Sequence, residues 1–105
     1  MGATVSNSFF AVYKMPDDPA AFDEAYKGHT EFVKQFPRMT NLRVNKVVQQ
    51  MSGETKIYLL TEMEFDSVED LQTALASEPG KQSAVDLQSW GGDKLITMLM
   101  TERLQ

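Results

Sequence analysis

The single histidine of the chain, His29, is the side chain best suited to proton transfer. An imidazole titrates near neutral pH, so a buried one can accept or donate a proton under ordinary conditions. The residues three or four positions apart around it are apolar or aromatic, which is the spacing of a buried helix face: Phe22, Tyr26, Val33 and Phe36. Two interpretations stay open. His29 is a general acid or base in a pocket between helix and sheet, or it is a core or interface histidine with satisfied ring nitrogens.

Three tyrosines and the one tryptophan could line the same pocket. The hydroxyls of Tyr13, Tyr26 and Tyr58 could orient a polar group of a ligand. Trp90 could wall the pocket, and Asp86 precedes it by one helical turn. The alternatives are core packing for the tyrosines, a plug under a helix end for Trp90, and a helix-surface position for Asp86.

Two carboxylates, Glu62 and Glu64, follow each other at alternate positions of a predicted strand. Side chains at this spacing share a face about 7 Å apart, which could suit paired acid/base work. The favoured interpretation is structural: the pair marks the wet end of the strand or forms cross-strand ion pairs with Arg43 or Lys46.

We expect neither a metal nor a cofactor. The chain has no cysteine and one histidine, so thiolate ligands and a second imidazole are missing from the sequence. Haem held by His29 as a single axial ligand remains an alternative. The pair Gly91-Gly92 lacks the surrounding pattern of a phosphate-binding loop and predicts a turn.

Four runs predict the strands that position these side chains: Phe9–Lys14, Leu42–Gln50, Lys56–Phe65 and Leu95–Thr101. Three of them are apolar on both faces, so they need cover on both sides. In the third run, Tyr58 and Leu60 are expected on the face opposite Leu59. The second run alternates apolar and polar residues, which is typical of an edge strand. Ser52–Thr55 predicts a hairpin loop after it.

The first predicted helix carries the apolar face that includes His29. Asp18 is a suitable N-cap and Pro19 suits the first helical position, where its missing N–H costs nothing. Pro37 is expected to end the helix.

The second half of the chain predicts two more helical stretches. Ser67–Asp70 resembles a capping box and opens a helix with Leu71 and Leu75 on its inner face. Pro79-Gly80 interrupts it. A further stretch with Val85 inward runs to about Trp90 and ends at the glycine pair that follows.

The order βαββαβ is the split pattern of the ferredoxin-like fold, an α+β architecture. It gives a four-stranded antiparallel sheet with helices on one side, formed here by a single domain of residues 1–105 with residues 1–8 as a lead-in. The other face of the sheet is apolar and bare. We therefore expect a homodimer through this face, in which two sheets build a dimeric α+β barrel.

Charge and hydropathy limit the other partners. The net charge is −5 and no basic cluster occurs, which argues against nucleic acid and against an anionic membrane surface. No stretch reaches membrane-spanning length, and we expect no targeting segment, because the first residues show no basic segment followed by an apolar core. These features predict a cytoplasmic protein.

Several separated motifs resemble the EthD family, named after ethyl tert-butyl ether degradation. The residues that carry the resemblance are Tyr13–Phe22 (YKMPDDPAAF), His29, Pro37, Ala74–Gly80 (ALASEPG), Asp86-Leu87 and Trp90-Gly91-Gly92. They cover nearly the whole chain in the expected order. The resemblance implies the dimeric α+β barrel fold and a functional role for His29, and it makes Asp86 a frequent family position.

The chain departs from the family pattern at two places. The family usually has a tyrosine four residues before the histidine, whereas Tyr26 lies three before His29. It also often has a proline two residues after the histidine, where this chain has Glu31. Such a one-residue change would rotate the preceding helical residues by about 100°.

Two main functions fit these observations. The first is a small catabolic or tailoring enzyme of the EthD type, which uses cofactor-independent acid/base or oxygenase-like chemistry on a small hydrophobic ligand that bears oxygen. The second is a non-catalytic protein that binds a hydrophobic metabolite in a degradation pathway. A purely structural dimer is a third alternative.

Overall fold

The computed structural model describes residues 6–105, and Met1–Val5 of the predicted lead-in lie outside this part. The strands are β1 (Asn7–Lys14), β2 (Asn41–Lys46), β3 (Ile57–Phe65) and β4 (Ile96–Glu102). The helices are α1 (Pro19–Val33), α2 (Val68–Ala76) and α3 (Glu78–Ser89), with a short 3₁₀ turn at Gly92–Lys94. The lead-in prediction placed Asn7 and Ser8 before the first strand, whereas both residues already pair in β1.

The sheet has the order β2-β3-β1-β4, and all of its pairs are antiparallel. This confirms the α+β ferredoxin-like architecture and the edge position of β2. The second strand was predicted to extend to Gln50 but ends at Lys46. The Gln50 side chain bonds the carbonyl oxygens of Ser52, Gly53 and Thr55, so local hydrogen bonds replace the ladder in this loop.

Helix α1 begins as the sequence predicts, because the Asp18 side chain accepts a hydrogen bond from the N–H of Ala21. The end of the helix was predicted three residues too late. After Val33 the N–H of Phe36 donates to the Val33 carbonyl, an i to i−3 bond that tightens the last turn. The residue before a proline disfavours the helical region, so this turn precedes Pro37 without continuing the helix.

Helices α2 and α3 meet at a sharp corner centred on Ser77. The Ser77 hydroxyl accepts from the N–H of Gly80, which caps α3. A Cβ at Gly80 would lie 2.4 Å from the carbonyl oxygens of both Ala74 and Leu75, so only glycine fits this corner.

The inner face of α3 differs from the prediction. Val85 was expected to point inward, but it is 67% exposed, and that prediction is wrong. The buried residues are Gly80, Ser83 and Leu87, which lie on one helix face at intervals of three and four. Small and polar residues form this stripe, so hydropathy alone selects the wrong side.

One face of the sheet packs against the helices and the other carries no helix. Val12 lies opposite Leu60, and Phe10 lies opposite Leu99, on the helix-free face. Tyr58 was expected beside Leu60 on that face, and this is wrong: its ring contacts Phe22 of α1. The pairing shifts by one residue between Tyr13 and Lys14, a bulge that turns Tyr58 towards the helices.

Two hydrophobic clusters lie between helices and sheet. The first contains Ala11, Tyr13, Phe22, Tyr26, Tyr58, Leu59 and Leu87, and the second contains Val33, Phe36, Met63, Phe65, Leu71 and Ala74. His29 is one of the few buried polar residues, and it lies between Tyr26 and Val33 on α1. The fold therefore brings an ionisable side chain to the junction of two apolar clusters.

Candidate functional site

A cavity of about 240 Å³ lies between the sheet and helices α1 and α3. Its wall is mainly apolar and aromatic, with the polar groups of His29, Tyr26, Thr61 and Ser83. The apolar and remaining wall residues are Phe9, Ala11, Tyr13, Val33, Phe36, Met63, Leu75, Gly80, Ala84, Leu87, Ile96 and Met98. This arrangement suits an apolar ligand that is oriented by few hydrogen bonds.

Helix α1 carries His29 to the cavity wall, and α3 holds it there. The Nδ1 atom of His29 lies 3.1 Å from Oδ2 of Asp86. The same carboxylate oxygen accepts a hydrogen bond from Nε1 of Trp90, also at 3.1 Å. Two donors from different directions thus fix the carboxylate that orients the imidazole.

The surroundings of His29 favour its neutral form. Burial lowers its pKa below the ordinary value, and the hydrogen bond and charge of Asp86 oppose this effect without cancelling it. Because a carboxylate can only accept, Nδ1 carries the proton and Nε2 keeps its lone pair. A neutral imidazole of this tautomer can accept a proton at Nε2.

Tyr26 and Thr61 form a pair of hydroxyls in the cavity wall. Their oxygen atoms are hydrogen-bonded to each other, and both residues are buried. Burial raises the pKa of Tyr26, an effect that the hydrogen bond of Thr61 partly offsets. Burial likewise raises the pKa of Tyr13, helped by the nearby Tyr26. Both phenols therefore stay protonated and can act as hydrogen-bond donors.

Five of the six predicted site residues lie at or behind the cavity wall. His29, Tyr13 and Tyr26 lie in the cavity wall, whereas Asp86 and Trp90 lie behind His29 and support it. The Trp90 ring packs edge-on against Phe22 with centroids 5.4 Å apart, as a plug under the helix end would.

Tyr58 lies outside the wall of this cavity. Its hydroxyl donates to Oδ1 of Asp23 at 2.8 Å, and the ammonium group of Lys46 lies 5.0 Å from its ring centroid. These contacts join the edge strand β2 to helix α1. The structure thus gives Tyr58 a packing position apart from His29.

The carboxylates of β3 belong to a polar network on the helix-free face. Arg43 lies 3.4 Å from both Glu62 and Glu64, and Arg103 lies 2.8 Å from Glu64. A hydrogen bond from Asn41 is the main reason that the pKa of Glu64 lies below its ordinary value. The network confirms the cross-strand ion pairs with Arg43, while Lys46 pairs with Asp23 instead.

Sequence reasoning missed Thr61 and Ser83, the other polar side chains of the wall. Thr61 stands between Leu60 and Glu62 in a run that reads as ordinary strand, where threonine is common. The one signal that distinguishes Thr61 is its spacing. It lies two residues after Leu59 and two before Met63, so its hydroxyl lies on the same buried face of the strand.

Two kinds of feature are absent from residues 6–105, a metal-binding cluster and a membrane-spanning helix. No three histidine, aspartate or glutamate side chains within residues 6–105 come together in a way that could hold a metal ion. No helix in this part of the chain is long and apolar enough to cross a membrane.

Comparisons with known proteins agree with the motifs around this site. A protein described as an uncharacterized 11.0 kDa protein of the thcB-thcC intergenic region of Rhodococcus erythropolis is 33% identical over 92 residues, 87% of this chain and 88% of the relative. The crystal structure of an EthD-family protein from Bacillus halodurans has a TM-score of 0.85 at 34% identity, and the match covers 94% of this chain and 99% of that one. The chain belongs to the EthD family. No protein-family model matches the sequence.

Two more distant structures share the fold of this EthD-family chain. A dimeric ferredoxin-like protein of unknown function from Thermobifida fusca has a TM-score of 0.67 at 8% identity, with 94% of this chain and 90% of that chain covered. The hydroxynitrile lyase of Passiflora edulis has a TM-score of 0.72 at 14% identity, with 98% and 97% covered.

Proposed function

We propose that this EthD-family chain is a small catabolic or tailoring enzyme whose acid/base chemistry depends on His29 and on no cofactor. The observation that carries the proposal is the hydrogen bond between His29 and Asp86 at the wall of a largely apolar cavity. A buried ionisable group with a shifted pKa and a specific charged partner is typical of functional sites. The ligand is a small hydrophobic compound that bears oxygen, as in the ether degradation from which the family takes its name.

The proposed step is a proton transfer from ligand carbon to Nε2 of His29. Asp86 holds the proton on Nδ1 and its charge stabilises the imidazolium that forms. If His29 then returns the proton to another carbon, the result is an isomerisation. If the carbanion instead expels a leaving group, the result is a lyase reaction. The structurally similar protein of Passiflora edulis is named as a lyase. In the oxygenase-like variant the carbanion would form a C–O bond with dioxygen, and the resulting peroxide would take the proton from His29.

The cavity bounds the size and charge of the ligand. An apolar cavity of about 150 Å³ is enough for benzene, so 240 Å³ corresponds to about ten non-hydrogen atoms. The described wall residues include no lysine or arginine, and a carboxylate ligand would meet the negative field of Asp86. A neutral molecule is therefore favoured.

We also propose that the protein is a homodimer through the helix-free face of the sheet. Phe10, Val12 and Leu60 lie on this face and are half-buried in one chain, and Leu99 beside them is 48% exposed. A second copy would cover this apolar area in a symmetric contact. The structural similarity to the dimeric ferredoxin-like protein of Thermobifida fusca supports the proposal.

Hydrogen–deuterium exchange tests the acid/base function before the natural substrate is known. The protein is incubated in D₂O with a panel of small neutral cyclic ketones and lactones, and exchange at the carbon next to the carbonyl is followed by NMR. We expect exchange above the buffer rate for the native chain and none above it for His29→Gln, which keeps a polar side chain of similar size. Exchange that is equal in both proteins would contradict the proposal.

The cavity by itself also supports a second function, the binding of a hydrophobic metabolite without turnover. The two functions differ in what His29→Gln changes. A binding protein would bind members of the panel with affinities that respond to cavity-wall substitutions such as Val33→Ala, and it would catalyse no exchange in any form.

A further inference from the structure

The Tyr26–Thr61 pair has a hydrogen-bond donor that the protein does not use. Each hydroxyl has one hydrogen, and the bond between the two oxygen atoms occupies only one of them. Within residues 6–105, neither hydroxyl is hydrogen-bonded to any other group. Whichever of the two donates to the other, one O–H remains, and leaving a buried donor without an acceptor is unfavourable.

The position of the pair places this donor at the cavity wall. Thr61 is 1% exposed on β3, one of the two inner strands, where it lies opposite Ala11 of β1. Tyr26 comes from α1, and its ring centroid is 5.8 Å from that of His29. All three residues line the cavity, so one small ligand can contact the hydroxyl pair and the imidazole together.

We propose that the Tyr26–Thr61 pair binds a carbonyl oxygen of the ligand and thereby determines specificity for neutral carbonyl compounds. The inference rests on the proposed function, because the oxygen held there belongs to the molecule that His29 deprotonates. Loss of a proton from the neighbouring carbon to Nε2 of His29 moves the electron pair onto this oxygen and gives an enolate. The free O–H of the pair stabilises the negative oxygen as it develops.

A pair of probes of nearly equal shape tests this subsite: cyclohexanone and methylenecyclohexane, which differ by a C=O in place of a C=CH₂. Their dissociation constants are measured by NMR titration for the native chain, Thr61→Val, Tyr26→Phe, the double variant Tyr26→Phe/Thr61→Val and Ser83→Ala. Ser83→Ala is the matched control, because its hydroxyl also lines the cavity but donates to the Gly80 carbonyl at 2.8 Å. Valine keeps the β-branched shape of threonine, so the strand is retained.

We expect the double variant Tyr26→Phe/Thr61→Val, which has neither hydroxyl, to reduce the affinity for cyclohexanone relative to methylenecyclohexane by about fivefold or more, the effect of one neutral hydrogen bond. Each single variant keeps one free O–H, so Thr61→Val and Tyr26→Phe lower the ratio less, and Ser83→Ala leaves it unchanged. An unchanged ratio in the double variant, an equal loss in Ser83→Ala, or no binding of either probe at millimolar concentration would overturn the inference. A ratio that depends on the hydroxyl pair without His29-dependent exchange would contradict the proposed catalysis alone, so the two failures are distinct.

Discussion

Asp86→Ala tests whether the carboxylate holds His29 and Trp90 in place. The change leaves the imidazole N–H of His29 and the indole N–H of Trp90 without their acceptor. The His29 side chain is only 8% exposed, so water cannot readily replace the carboxylate. A hydrogen bond to a charged group contributes about 1.5–3 kcal/mol, and because the two bonds share one oxygen, their loss sums to about 3 kcal/mol. For a chain of 105 residues this lowers Tm by about 10–20 °C.

The assay is urea unfolding at a fixed protein concentration, followed by the fluorescence of the one tryptophan. Asp70→Ala is a matched control, because the Asp70 side chain is 24% exposed against 25% for Asp86, and its partner Arg38 is largely in solvent. Breaking that surface pair costs about 1 kcal/mol or less. Equal losses of unfolding free energy in the two variants would refute the support that we assign to Asp86.

Three further outcomes follow. The free energy of unfolding falls as pH drops from about 6.5, since burial lowers the pKa of His29 and the unfolded chain binds its proton first; unfolding curves that show higher stability on acidification would contradict this. Gly80→Ala lowers the free energy of unfolding in urea by about 2–3 kcal/mol, because the new Cβ meets backbone oxygens. Gly28→Ala raises it by about 0.5–1 kcal/mol, because the space around this position of α1 is open. Similar changes in the two variants would contradict the corner geometry. Leu60→Asp yields monomers in analytical ultracentrifugation while Val85→Asp on the helix layer does not, and a dimeric Leu60→Asp would exclude the sheet-face interface.

Much of the fold could be predicted from periodicity, because the buried residues of most elements follow the spacing of a helix or of a strand. The spacing of Phe22, Tyr26, His29 and Val33 predicted the inner face of α1, and the alternation in the run Leu42–Gln50 predicted the edge strand, although the strand ends at Lys46. The inner face of α3 could not be predicted in this way, since the small and polar residues Gly80 and Ser83 line it while the apolar Val85 is exposed.

The site was predictable only in part. Helical spacing placed His29 and Tyr26 together, but the contact of His29 with Asp86 joins residues 57 positions apart and depends on how α1 packs against α3. The position of Tyr58 depends on a one-residue bulge that no local sequence pattern predicts. Thr61 was missed because a hydroxyl on a strand becomes a site residue only once a cavity forms beside it. The cytoplasmic location remains a prediction.

The protonation state of His29 tests the account most directly. As the chain has one histidine, a long-range ¹H–¹⁵N correlation spectrum reports this ring alone. Near neutral pH we predict a neutral imidazole with its proton on Nδ1, bonded to Asp86, and a titration midpoint below that of a free histidine. A ring protonated on Nε2, or an imidazolium at neutral pH, would contradict the proposed role of His29 as a base.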